Sequence, residues 1–389
     1  MVSSVPTFLA LWLAMAVYNL CLSVYHPALY LELDADHFSA TYISFASAIC
    51  QVGFFAAGAL TPFIARTFSA RVSLLAAFPL MALLVLATHY FAASPLLFLV
   101  EFTIGLIAAT IKIRIKSSLV VLATSHRRST VLSVVGLGGS LAWVLGPYIA
   151  GQTDVYGWWP FEIGAASLLV MVPIFLVLSK DPSIDTRKTV EREDRQSGLL
   201  EQVRRQPNLV LIPLCIALIG SPFRALLPIY GEQALGLEAQ QAATLLSWLG
   251  AGSLILAVPV AWLGDRLGVR RVLIAAAVVI AMACGYLYQA SAESLSVEAA
   301  IFLMSGLKAA MSHVALAFVV GRLSSSQVPA MVAVFIVAGK VGSIAGTISA
   351  GAMMTQYGPH ALFVVPGAAA IALCISLLQT GAAEPEAAR

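Results

Sequence analysis

Uninterrupted apolar runs of about 20 residues recur along nearly the whole chain, and they constrain its fold more than any motif does. Hydrophobic residues fill 60% of the 389 positions and charged residues 11%. That leaves too little polar surface to coat a soluble globule, so the bilayer must serve as solvent. The runs are continuous rather than alternating, as from Ala275 to Ala283. They therefore predict helices, which satisfy their backbone hydrogen bonds within each segment, and not a barrel. Spans are expected at 6–30, 40–64, 70–89, 95–120, 130–152, 160–179, 208–231, 239–263, 270–290, 296–321, 327–353 and 359–379. The first run lacks a basic leader and is followed by further spans, so it reads as a first helix rather than a cleaved signal.

The basic residues are placed unevenly. With the N-terminus inside, the cytoplasmic connections hold Arg66, Arg71, Arg127, Arg128, the cluster from Lys180 to Arg205, then Arg266, Arg270, Arg271 and Arg322. The external connections hold Glu32, Asp34, Asp36, Asp154, Glu232, Glu238 and Glu293, with no Lys or Arg. The positive-inside rule then puts both termini in the cytoplasm of a cell inner membrane. The five cysteines, Cys21, Cys50, Cys215, Cys284 and Cys374, fall inside spans without metal-ligand spacing and read as small packing residues.

A polar stretch rich in both signs of charge separates six spans from six. The expected organisation is a six-helix bundle at 1–179, a cytoplasmic linker at 180–207, a second bundle at 208–380 and a tail at 381–389. The halves echo each other at a spacing of about 200 residues. Arg66 and Arg71 correspond to Arg266 and Arg271; Gly139, Gly146 and Gly151 correspond to Gly339, Gly346 and Gly351. The fold class is thus an all-α membrane protein of two pseudo-symmetric six-helix bundles.

Between spans 8 and 9 the chain reads Gly264-Asp265-Arg266-Leu267-Gly268-Val269-Arg270-Arg271. This resembles the cytoplasmic loop signature of the major facilitator superfamily. The resemblance implies a tight turn at the glycines, with Asp265 as the acidic partner and Arg266, Arg270 and Arg271 as basic partners in contacts that change as the halves rock. The first-half counterpart, Ile64 to Arg71, lacks the glycines and the acid, so that latch should be weakened or replaced. Span 5 carries Gly146-Pro147, similar to the Gly-Pro signature of the family's antiporters, although alanine stands at 142 and 150 where the pattern prefers glycine. It favours export, and ordinary small-residue packing explains it almost as well. Pro147 also favours a bend.

Six cations lie within spans: Lys112, Arg114, Lys116, Arg224, Lys308 and Lys340. A cation at the bilayer centre costs at least about 2.5–3.5 kcal/mol on insertion scales, so each needs a partner, a wet cavity or a route to the interface. Lys112 and Lys116 share a helical face, whereas Arg114 points about 200° from Lys112. Lys116 snorkels most simply to the cytoplasmic side. Arg224, between Pro222 and Pro228 in an interrupted helix, and Lys308, far from either interface, are the leading solute contacts. Lys112 and Lys340 are further candidates, with Asn19 and His26 in the first span. Tyr30 and the pair Trp158-Trp159 read as interface-belt residues. Glu101 is a proton carrier or else a counter-ion, and His313 is a second candidate carrier.

The excess of intramembrane cations favours an anionic organic solute moved by alternating access and driven by proton exchange. Expected partners are that solute, protons and the lipid bilayer, with no nucleic acid, and the chain is expected to act as a monomer. No Gly-x-x-x-x-Gly-Lys-[Ser/Thr] loop, metal constellation or nucleophile is present, so neither a cofactor nor enzymatic activity is expected. Two other readings stay open: a carrier of neutral or cationic compounds, such as a multidrug exporter, and a non-transporting membrane sensor or assembly partner.

Overall fold

The computed structural model describes residues 5–122, 128–177, 207–291, 296–320 and 328–382. The first half contains α1 (Val5–Ala35), α2 (Ala40–Thr67), α3 (Ala70–Tyr90), α4 (Leu96–Leu122), α5 (Arg128–Gly151), α6 (Trp159–Leu169) and α7 (Met171–Val177). The second contains α8 (Pro207–Gly220), α9 (Phe223–Leu235), α10 (Ala239–Leu267), α11 (Val269–Gln289), α12 (Val297–Val320), α13 (Val328–Tyr357) and α14 (Val364–Ala382), the last entered through a 3₁₀ turn at Pro359–Phe363. Among the described residues, eleven segments are long and apolar enough to cross a membrane. The 24-residue α5 supplies a twelfth.

Two predicted spans are broken. The sixth divides at Val170, where Pro173 leaves the carbonyl of Leu169 without its helical donor. The seventh divides at Ser221-Pro222, where proline disfavours helical backbone in the residue before it. The helices continue through Pro147 and through Pro228. The seventh span is thus interrupted once, not at both prolines as its sequence suggested. Other helices run past their predicted ends: α1 reaches Ala35, so Glu32 and Asp34 are helical rather than loop residues, and Glu232 lies within α9.

The chain divides into two compact units. The first comprises Met1–Phe38 and Ala46–Asp194 with Glu238–Ser247, and the second Ser39–Phe45, Arg195–Leu237 and Trp248–Arg389. In the first, α1 packs on α5 and α6, and α3 packs on α4 and α6. In the second, α8 packs on α13 and α14, and α11 packs on α12 and α14. These pairings correspond one for one, as duplication requires. Linker residues 180–206 and tail residues 383–389 lie outside the described residues, as do Arg127, Arg322 and Glu293 of the orientation argument.

Glycines fix how closely the helices approach. A Cβ on Gly53 of α2 would meet the Phe102 carbonyl of α4, and one on Gly105 of α4 would meet the Cys50 carbonyl of α2. The second unit repeats this clasp. Gly252 of α10 abuts the Phe302 carbonyl of α12, and a Cβ on Gly306 would lie 2.6 Å from the Gly252 carbonyl. Similarly, Gly146 of α5 abuts Ser23 of α1, whose Oγ donates to the Ala142 carbonyl at 2.8 Å. Its counterpart Gly346 lies against Leu218 and Ser221 of the second unit. Without a hydrophobic force between helices in lipid, such small-residue seams supply the packing.

Large apolar side chains cover the outside, among them Leu83, Leu99, Val177, Val258 and Met282, all more than 60% exposed. Only a lipid environment covers that much exposed apolar surface. Trp158 and Trp159 are exposed. Tyr30 is not a belt residue: it is 1% exposed and stacks on His26 with ring centroids 5.5 Å apart. At the ends of α1 and α3, Glu32 pairs with His89 at 3.0 Å, with Trp158 and Phe161 against the His89 ring.

Candidate functional site

Three of the predicted solute contacts converge in the second unit. Gly220 ends α8, Ser221 and Pro222 form the break, and Arg224 opens α9 as an exposed side chain. The Lys308 side chain reaches from α12 across Gly220, where a Cβ would come within 2.8 Å of its Nζ. Lys340 follows the same seam. Gly342 lets α13 close on Leu214 and Ala217 of α8, and Gly346 lets it close on Leu218. As a result Lys308 lies within electrostatic reach of both Arg224 and Lys340. Two unit charges about 4 Å apart repel by about 1 kcal/mol in water and about 4 kcal/mol at an effective dielectric of 20. The three cations therefore form a neighbourhood of like charge around Lys308.

The remaining cations differ. Arg114 is 4% exposed and donates to the Phe68 carbonyl at 3.0 Å, so it is a structural tie from α4 to the α2–α3 turn. Lys112 lies over the Phe54 ring at 5.6 Å, and Lys116 is exposed. Asn19 donates from Nδ2 to the Met15 carbonyl at 2.7 Å and faces Gly139 of α5. His313 is exposed on α12.

His26 and Glu101 meet in the first unit. The α2–α4 clasp that places the Cys50 carbonyl against Gly105 also carries the Cys50 thiol to Glu101, one turn earlier on α4. His26 of α1 completes the group, and the donor atoms of His26, Cys50 and Glu101 lie within 4.8 Å of one another. Glu101 is fully buried, and among the described residues no cation pairs with it. The Cys50 thiol is close enough to act on the carboxyl, but neither oxygen meets hydrogen-bond geometry. Tyr25 is also fully buried beside Glu101 and Cys50, and its hydroxyl lacks a partner.

The loop signature has a concrete structural role. Gly268 adopts φ +93°, a left-handed backbone that suits glycine, and sets the turn between α10 and α11. Arg270 donates through its guanidinium to the carbonyls of Leu377 and Leu378, at 2.9 and 3.1 Å, capping the end of α14. Arg266 stacks over Trp262 at 3.9 Å, while Asp265 and Arg271 are exposed and Gly264 is buried against Val314. In the first half a different turn appears: Ser69 caps α3 through Val72 N–H, and Arg114 holds the carbonyl of Phe68.

Sequence reasoning read Cys50 as a packing residue, left Tyr25 between orienting a solute and sitting at the interface belt, and passed over His89. Cys50 and Glu101 share one available signal, a glycine about one turn onward at Gly53 and Gly105, whose counterparts Gly252 and Gly306 mark the duplicated clasp.

Two equivalent helical units with a lipid-suited exterior and ionisable groups held inside define a multi-pass membrane carrier. A family model described as Major Facilitator Superfamily matches residues 8–251 and 223–389. The chain belongs to that superfamily and is a secondary transporter. Among solved structures it is similar to the nucleoside transporter NupG, with TM-score 0.80, 13% identity, and coverage of 97% of this chain and 99% of that one. It is also similar to a D-xylose-proton symporter, with TM-score 0.77, 14% identity and 96% coverage of each chain. A peptide transporter POT in complex with sulfate gives TM-score 0.73, 13% identity and coverage of 96% and 94%. At these identities the likeness is one of fold. No curated protein matches the sequence.

Proposed function

We propose that the protein moves a small organic anion across the cytoplasmic membrane by alternating access, in exchange for protons. The observation that carries this reading is the grouping of Arg224, Lys308 and Lys340 at the α8–α9 break. A carboxylate or phosphate relieves the repulsion among them. The Arg224 fork supplies bidentate geometry, and the two ammonium groups supply charge. The two six-helix units are the moving bodies, and the turn at Gly268 and the clamp of Arg270 keep the ends of α11 and α14 together as they move.

Proton exchange is assigned to Glu101, because buried intramembrane carboxyls mark proton pathways and, among the described residues, no cation pairs with this one. The charge distribution of the loops supports a cytoplasmic position for both termini. Outward movement of the solute is favoured by the Gly146-Pro147 pattern.

The test is a thermal-shift screen of purified full-length protein against organic carboxylates, phosphates, cations and neutral solutes, followed by flux in proteoliposomes under an imposed pH gradient. Anions should stabilise the wild type and fail to stabilise Arg224→Ala and Lys308→Ala. Stabilisation by cations or neutral compounds alone would transfer the protein to the multidrug class. Normal folding without any solute response would favour a sensor or assembly role.

A further inference from the structure

The geometry points to a transition-metal site in the first unit, formed by His26 of α1, Cys50 of α2 and Glu101 of α4, for a borderline-soft divalent ion such as Zn²⁺. The three donors are an imidazole nitrogen, a thiol sulfur and a carboxylate oxygen, all buried and within 4.8 Å of one another. This set suits zinc, whereas magnesium and calcium prefer oxygen throughout. Tetrahedral zinc draws its donors to roughly 3.5 Å of each other, a contraction within reach of small side-chain rotations.

A second observation comes from the unsatisfied groups. Glu101 is 0% exposed, among the described residues no cation pairs with it, and neither oxygen meets hydrogen-bond geometry, the Cys50 thiol being the group that acts on it. The hydroxyl of Tyr25, also 0% exposed and without a partner, lies beside the same groups and offers a fourth donor. Buried polar atoms left in this condition cost free energy, which a bound ion recovers. The charges also balance: Zn²⁺ with one thiolate, one carboxylate and a neutral imidazole sums to zero, the arrangement a low-dielectric interior tolerates best. On binding, the Cys50 thiol proton, and any proton on Glu101, pass to solvent.

The scaffold fixes these donors rigidly. The Gly53–Gly105 clasp sets the separation of α2 and α4 at the level of Cys50 and Glu101. Stacking on Tyr30 and contact with Tyr25, with ring centroids 4.3 Å apart, hold the imidazole of His26. The second unit repeats the clasp at Gly252 and Gly306, but Met304 and Ser305 stand near it and no such trio forms there among the described residues. The metal reading goes beyond transport and does not depend on it, because binding is measured on solute-free protein; a bound ion holds Glu101 ionised, so the carboxyl exchanges protons only in the metal-free protein.

The experiment is equilibrium dialysis of untagged, detergent-purified full-length protein against Zn²⁺ with elemental analysis, and a Co²⁺ titration followed optically. One zinc per chain is expected, with a thiolate-to-cobalt charge-transfer band. Cys50→Ser should abolish that band, and His26→Asn and Glu101→Gln should weaken zinc at least as much as the roughly 10–100-fold lost when an outer partner of a metal site is removed. Cys284→Ser, in the second unit, should leave both signals unchanged. Melting curves in zinc-free buffer verify that each variant is folded. A wild type that takes up no stoichiometric zinc overturns the site, and so does a Cys50→Ser protein with wild-type affinity and spectrum. Loss of proton exchange in Glu101→Gln with no zinc bound by the wild type would show a proton carrier only, and would sink the metal site while leaving the transport reading intact.

Discussion

The two units share a scaffold and differ in the charge they bury. Both clasp their second and fourth helices through reciprocal glycines, Gly53 with Gly105 and Gly252 with Gly306, and both seat the fifth helix against the first through Gly146 or Gly346. Within that common frame the first unit gathers His26, Cys50 and Glu101, while the second gathers Arg224, Lys308 and Lys340. Backbone approach tolerates little variation, because a Cβ in a helix seam displaces a whole helix. A side chain projecting into an interior space can change its charge whenever a partner compensates it. Duplication therefore preserved the seams and left chemistry free to diverge.

The comparison can be broken most forcefully at the seams. Gly105→Val and Gly306→Val place side chains against backbone carbonyls, and each should cost at least the roughly 1–3 kcal/mol typical of overpacking. Loss of a monodisperse peak in fluorescence-detected size exclusion would register this. Equal damage in the two halves is expected; tolerance of either variant would show that the seams are not equivalent.

Next come the charges. Removing Arg224 or Lys308 should weaken binding of an organic anion by about 10- to 150-fold, the equivalent of roughly 1.5–3 kcal/mol for a hydrogen bond to a charged group. Titration of the variants in detergent measures it. Lys112→Ala, in the first unit over Phe54, should have a far smaller effect, and the reverse order would move the anion site out of the second unit.

The cytoplasmic turns offer a finer contrast. Gly268→Ala should destabilise by about 1–3 kcal/mol through backbone strain alone, because a Cβ there meets nothing within 4 Å. Phe68→Gly, at the matching place in the first half, should stay within about 0.5 kcal/mol, since Ser69 and Arg114 already hold that turn. Thermal unfolding of both proteins separates the two designs. A similarly small effect is expected for Ser23→Ala, which removes the bond to the Ala142 carbonyl: about 0.6 kcal/mol, the average for interhelical hydrogen bonds in membranes.

Much of the scaffold was legible because membrane burial writes itself into long apolar runs, and a duplicated chain repeats its glycines in register. The cation cluster was partly legible, since each intramembrane Lys or Arg is visible singly. Which of them meet was not. Lys112, Arg114 and Lys116 sit close in sequence yet go to an aromatic ring, a backbone carbonyl and an exposed surface. Arg224, Lys308 and Lys340 are far apart in sequence yet share one neighbourhood, because glycines at 220, 342 and 346 let α8, α12 and α13 close up. Tyr30 misled for the same reason: an aromatic near a helix end resembles a belt residue, and only the packing of its neighbours turns it inward.

Sequence alone determined that the chain is a helical membrane protein made of two related halves, because hydropathy and repetition are local properties that solvent enforces everywhere along the chain. Tertiary structure decided that Cys50 faces Glu101, that Arg114 ties α4 to the Phe68 carbonyl, and that the seventh span breaks once at Pro222 while continuing through Pro228. Those outcomes depend on the rotation and separation of neighbouring helices, which are set by atoms distant in the chain and leave no periodic mark on the residues they bring together.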